Sequence, residues 1–148
     1  MASYFIKKAN RLGNENADFE GNNDLTNLKL QKMLYFAQAE YLKEFDKKLF
    51  EDGIEAWQYG PVVKNVYEWL KDCGAFVITE MDIKLCDTDR IPLDIKRFLD
   101  KIWNKYSKIS AWGLVQKTHK PGSAWSKTYR NGLGNRNVID PAMMAINA

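Results

Sequence analysis

Thr26-Asn27-Leu28-Lys29-Leu30-Gln31-Lys32-Met33-Leu34-Tyr35-Phe36-Ala37, continuing to Glu44, sets the architecture of this chain. Leu30, Met33, Leu34, Ala37 and Tyr41 recur at helical spacing, with Leu28, Tyr35 and Leu42 beside them. An apolar stripe this wide predicts a central helix over 26–44, buried on more than one side. Asp24 or Thr26 supplies its N-cap, and Asp46-Lys47-Lys48 ends it.

Shorter helices are expected to surround it. Tyr4, Phe5, Ala9 and Leu12 predict one over 2–12, followed by an Asn/Gly-rich loop over 13–24. Pro92 introduces a helix over about 93–106, and Ser110 and Ser123 cap two more. In these helices Trp103, Trp112 and Trp125 take core positions. Asp140-Pro141 starts a terminal helix, after a flexible loop over 131–137.

The second informative stretch is Glu55-Ala56-Trp57-Gln58-Tyr59-Gly60-Pro61-Val62. Proline suits the first turn of a helix, and the residue before it is pushed towards extended geometry. An extended segment carrying Trp57 and Tyr59 should therefore turn at Gly60 into a helix starting near Pro61 and stopping at Gly74. Leu49-Phe50 and Ile54–Trp57, joined through Asp52-Gly53, predict a small hairpin near 49–57. A second is suggested near 76–86, although Met81-Asp82 is a poor turn sequence. The expected fold is mainly α with a minor β part: six to seven short helices packed around 26–44 in one domain spanning 1–148.

Composition supports a folded, cytoplasmic protein without staples. A chain of 148 residues with 45% hydrophobic and 28% charged residues buries enough surface to need no disulfide or metal. Cys73 and Cys86 lie in no metal spacing and fit reduced, structural thiols. No stretch is apolar enough for a signal peptide or a membrane span. Net charge is only +3, but it is unevenly spread. Residues 1–89 hold 11 Lys/Arg and 16 Asp/Glu, whereas residues 90–148 hold 11 and 3. The C-terminal part thus presents either a solvated surface or a basic binding face.

Catalysis finds little support. His119 is the only histidine, which excludes metal sites built on two or three histidines. No Gly-rich phosphate loop is present, and nothing local pairs Cys73 or Cys86 with His119. No enzymatic activity, cofactor or metal is expected. Nucleic-acid binding is the stronger competitor. Lys105, Lys108, Lys117, Lys120, Lys127 and Arg130 interleave with Tyr106, Trp112, Trp125 and Tyr129, an arrangement suited to phosphates and stacked bases. No helix-turn-helix, zinc finger or ribonucleoprotein motif accompanies them.

Three segments together resemble one family. They are Leu25–Phe36, Phe50–Val63 with its Trp57-Gln58-Tyr59-Gly60-Pro61, and Thr118-His119-Lys120-Pro121-Gly122-Ser123-Ala124-Trp125. Their order and separation are similar to the SocA/GepA-like family, or Panacea antitoxin domain, over about residues 4–130. One departure is Ala124, where proline is common before the tryptophan. The resemblance implies a mostly helical bacterial or phage protein that binds and neutralises a toxin from a neighbouring gene, without chemistry of its own. The positions that would meet the partner are Lys29, Lys32, Trp57, Tyr59, His119 and Trp125, with Gly60 and Pro61 as a backbone device. Each has a structural alternative. Trp57 and Tyr59 either pack on the central helix or form an exposed anchor. A fixed lysine at 29 or 32 needs an acidic partner, either internal, with Glu55 the candidate, or on the toxin. For His119 and Trp125 the alternative is bracing of the same region.

Overall fold

A computed structural model describes residues 1–15, 24–79 and 84–148. Helix α2, Asn27–Phe45, lies at its centre, as the apolar stripe predicts. The Thr26 side chain accepts from the Lys29 backbone N–H, so Thr26 is the N-cap, and Asp46 closes the helix in the left-handed conformation. Leu30, Met33, Leu34, Tyr35 and Ala37 are all buried. Eleven consecutive residues, Lys29–Ala39, are buried along α2, so it is covered from several sides.

The cover comes from α1 (Ala2–Glu15), α4 (Leu93–Tyr106), α5 (Ala111–Thr118) and α7 (Pro141–Asn147). Phe5 of α1 stacks on Trp103 of α4, with centroids 6.1 Å apart, and Phe36 of α2 stacks on Tyr106 at 4.8 Å. Ser110 caps α5, Ser123 caps α6 (Ala124–Tyr129), and Asp140 caps α7 with Pro141 in its first turn. Helix α1 runs three residues past its expected end. Of the expected loop, residues 16–23 lie outside the described residues.

The β structure corrects the expectation. Strand β1, Ile54–Trp57, pairs antiparallel with β2, Gly60–Val63, from Ile54 opposite Val63 to Trp57 opposite Gly60. Gln58 and Tyr59 form the turn. Gly60 follows at φ +105°, a conformation that glycine adopts without strain. Pro61 sits in an edge strand, where its missing N–H is harmless, and helix α3 begins only at Lys64 and runs to Leu70. Leu49 and Phe50 are not a strand. The Gln38 side chain accepts from Leu49 N–H (2.7 Å) and donates to Phe50 C=O (2.7 Å), replacing a partner strand.

Residues 131–137 are not a free loop either. After a 3₁₀ turn at Arg130–Gly132, a strap along β1 joins the sheet's other edge. Arg136 N–H donates to Ala56 C=O (2.7 Å), Ala56 N–H to Asn137 C=O (2.8 Å) and Ile139 N–H to Ile54 C=O (2.8 Å). Gly134 is what lets the strap close, because a Cβ there would lie 1.8 Å from the Thr128 carbonyl oxygen.

The second hairpin is absent from the described residues of 76–86. Ile78 N–H donates to Leu25 C=O, and Cys86 is held by α1: its N–H donates to Ser3 Oγ (3.1 Å), and Lys7 Nζ donates to its carbonyl (3.0 Å). The expected turn at Met81-Asp82 lies outside the described residues. Cys86 is exposed, so it is no buried thiol.

Candidate partner-binding site

The two lysines of α2 have different surroundings, although they are three residues apart. Lys29 is 1% exposed. Its Nζ donates to both carboxylate oxygens of Asp24 (2.8 Å each) and to Ser107 C=O (2.6 Å). Lys29 therefore ties the start of α2 to the end of α4, and its acidic partner is Asp24, not Glu55. Glu55 instead accepts from Trp57 Nε1 at 2.7 Å.

Lys32 is fully buried and has no ion-pair partner among the described residues. Its Nζ donates to Pro61 C=O at 3.0 Å. One residue earlier, Gln31 accepts from Val63 N–H at 2.8 Å, and it donates to Asn27 Oδ1 at 2.9 Å. Together these two side chains occupy the outer edge of β2 and so cap it against further strand pairing. The fit at the turn is close: a Cβ on Gly60 would stand 2.6 Å from Lys32 Cε and 2.9 Å from Thr118 Oγ1. Burial brings the Lys32 ammonium down from 10.5 to about 7.

The third segment closes on the same joint. Trp125 Nε1 donates to Trp57 C=O at 2.8 Å. His119, at the C-cap of α5, stacks face to face on Trp125 with centroids 3.9 Å apart, and Tyr129 stacks on Trp125 at 4.7 Å. The His119 pKa is lowered, first by burial and then by the charge of nearby Lys32. Its Nε2 is buried without a hydrogen-bond partner among the described residues, as is the Tyr35 hydroxyl. Lys32, Gly60, Pro61, Trp57, His119 and Trp125 thus come together, while Lys29 stands apart.

Trp57 ends strand β1 and Tyr59 lies in the turn, and the two meet different neighbours. Trp57 is half-buried, with Tyr67 of α3 edge-on at 4.9 Å and the Arg136 guanidinium over its ring at 4.3 Å. Tyr59 is 54% exposed and meets Trp112 edge to face at 5.8 Å. Trp112 is 59% exposed, which overturns its assignment to the core. Its neighbours Leu114 and Val115 carry the buried face of α5; that pattern leaves Trp112 outward and could have identified it. Trp103 and Trp125 are buried as expected.

Beside this joint is a cavity of about 500 Å³, lined by Gln31, Lys32, Trp57, Tyr59, Tyr67, Arg136 and neighbouring residues of α2, α3 and the strap. Among the described residues no group of three or more His, Cys, Asp or Glu could hold a metal ion. No helix among them is long and apolar enough to cross a membrane.

The chain is 30% identical over 118 residues to the antitoxin SocA of Caulobacter vibrioides (strain NA1000 / CB15N), a match covering 74% of this chain. That match spans only 62% of the relative's own length. No solved structure matches. The family described as "Antitoxin SocA-like, Panacea domain" matches residues 30–126, which take in most of α2, the hairpin and the His119–Trp125 segment, and the chain belongs to that family.

Proposed function

We propose that this protein is a cytoplasmic antitoxin that neutralises a toxin by binding it, and that it performs no chemistry of its own. Family membership supports the antitoxin role. The observation that carries the contact mechanism is the pair Tyr59–Trp112. Two large aromatic side chains, each more than half exposed, lean on one another at the surface beside a cavity. Exposed aromatics held in place are typical anchors of protein interfaces. The test is expression of the neighbouring gene alone and together with this one, followed by co-purification. The proposal expects toxicity alone, relief on co-expression and a complex weakened by Tyr59→Ala with Trp112→Ala. A harmless neighbour, or one still toxic beside this protein, refutes it.

Nucleic-acid binding through residues 90–136 is the competing proposal, and the geometry favours it less. Trp103 and Trp125 are buried and offer no face to a base. Lys105 and Lys101 are paired with Glu40 and Glu44 of α2. A low-salt titration with DNA and RNA decides it, since phosphate contacts are strongest there.

A further inference from the structure

We infer that the cavity at Lys32 receives a carboxylate side chain of the partner toxin, while Tyr59 and Trp112 hold the segment that carries it. The inference deepens the antitoxin proposal above and rests on it. The cavity, about 500 Å³, falls in the range of sites that enclose a ligand group, and is larger than one carboxylate. It therefore has room for an acidic side chain and part of its neighbour.

Its chemistry is one-sided. Lys32, Lys71 and Arg136 line it, and none of its lining residues is acidic. Lys71 has Glu68 at 3.3 Å. Arg136 is exposed at the lip. Lys32 is the unusual member. An ammonium carries three donors, and the described residues supply one acceptor, the Pro61 carbonyl. A buried cation without a counter-charge is held against a large desolvation penalty. A carboxylate entering the cavity would supply both the opposite charge and the missing acceptors. Trp57 and Tyr67 give apolar walls for the methylene stem of such a side chain.

The same features favour a protein over a nucleic acid. A phosphodiester backbone engages a row of exposed cations. Here the decisive cation lies wholly buried in the cavity wall, where a row of backbone phosphates cannot line up with it. The flanking Tyr59–Trp112 pair also matches the aromatic anchors of protein interfaces.

The experiment titrates the toxin against the wild-type chain, Lys32→Met and Arg136→Gln, with thermal melts of each to verify folding. Arg136 is exposed, so its variant keeps the fold in view even if position 32 proves sensitive. The toxin's Asp and Glu residues are then changed singly to amides. The expected result is a Kd at least tenfold weaker for Lys32→Met, a smaller loss for Arg136→Gln, and one toxin amide variant whose loss is not additive with Lys32→Met. Binding of Lys32→Met and Arg136→Gln within twofold of wild type overturns the inference and leaves the antitoxin proposal standing. Absence of any wild-type complex overturns both. Displacement of the toxin by a short single-stranded oligonucleotide, lost in Lys32→Met, assigns the cavity to phosphate and also overturns it.

Discussion

Replacing Lys32 by methionine should make the isolated protein more stable at neutral and acidic pH, and the gain should shrink as the pH rises. Lys32 is buried, with its ammonium brought from 10.5 to about 7. Each pH unit between folded and unfolded values is worth about 1.36 kcal/mol, so the protonated residue opposes folding by about 5 kcal/mol. Below about pH 7 both states carry the proton and the whole penalty stands. Between about pH 7 and pH 10.5 the unfolded chain binds one more proton, so wild-type stability rises with pH; above that range the penalty is gone. Methionine matches the lysine stem and packs adaptably, but it leaves Pro61 C=O without the donor now 3.0 Å away. That loss is worth about 1–3 kcal/mol. The net expectation is a variant about 2–4 kcal/mol more stable near about pH 6, whose advantage falls by about 3 kcal/mol by about pH 9. Urea denaturation at a series of pH values measures this directly. A variant destabilised by the same amount at every pH would refute the argument, because it would mean that Lys32 acts only through its hydrogen bond and packing.

Three further outcomes follow from the same geometry. In Lys32→Met, His119 should titrate at a higher pH than in the wild type, because the Lys32 charge is one of the two causes lowering it; proton NMR of the single imidazole reads this, and an unchanged titration counts against their proximity. Gly60→Ala should destabilise by about 3 kcal/mol or more, since φ +105° strains an L-residue and its Cβ would meet Lys32 Cε at 2.6 Å; a change under about 1 kcal/mol in chemical denaturation would show that the turn relaxes freely. Asp24→Ala should destabilise by about 1–3 kcal/mol by leaving the Lys29 ammonium with only Ser107 C=O, below the value for a fully buried pair because the Asp24 side chain is 64% exposed; a neutral effect would mean that Lys29 needs no counter-charge.

Local signals in the sequence carried the helices well and the sheet poorly. Thr26, Ser110, Ser123 and Asp140-Pro141 are caps whose side chains act within a few residues, and each helix starts where they indicate. The hairpin depends on longer-range partners. Asp52-Gly53 is a good turn sequence, yet Gln38, more than ten residues away, takes up the backbone of Leu49 and Phe50. Pro61 looked like a first helical residue because the signal for that position is also met by an edge strand. The strap at Arg136–Ile139 has no alternating pattern that would mark it as a sheet partner. Of the candidate site, His119, Trp125, Trp57 and Lys32 meet as one unit. Lys29 separates from it, because its long side chain turns to Asp24 and Ser107, a contact that spacing along α2 does not reveal.

The joint among the three family segments is mostly hidden, and this constrains how a partner can use it. Lys32, Gly60, Pro61 and Trp125 are buried, so a toxin cannot touch most of them without first opening the fold. Two routes remain at the surface. One is the exposed pair Tyr59–Trp112, which the turn and α5 hold together. The other is the cavity, in whose wall Lys32 lies. The turn belongs to both, because Gly60 presses on the Lys32 stem while the preceding Tyr59 faces outward. A partner that anchors on Tyr59 is thereby placed beside the one buried cation that the described residues leave without a counter-charge. Stability alone would favour an apolar residue at position 32, by the free energies set out above. Retaining a lysine there is physically intelligible if the missing carboxylate arrives with the partner, in which case the same side chain that weakens the free protein strengthens the complex.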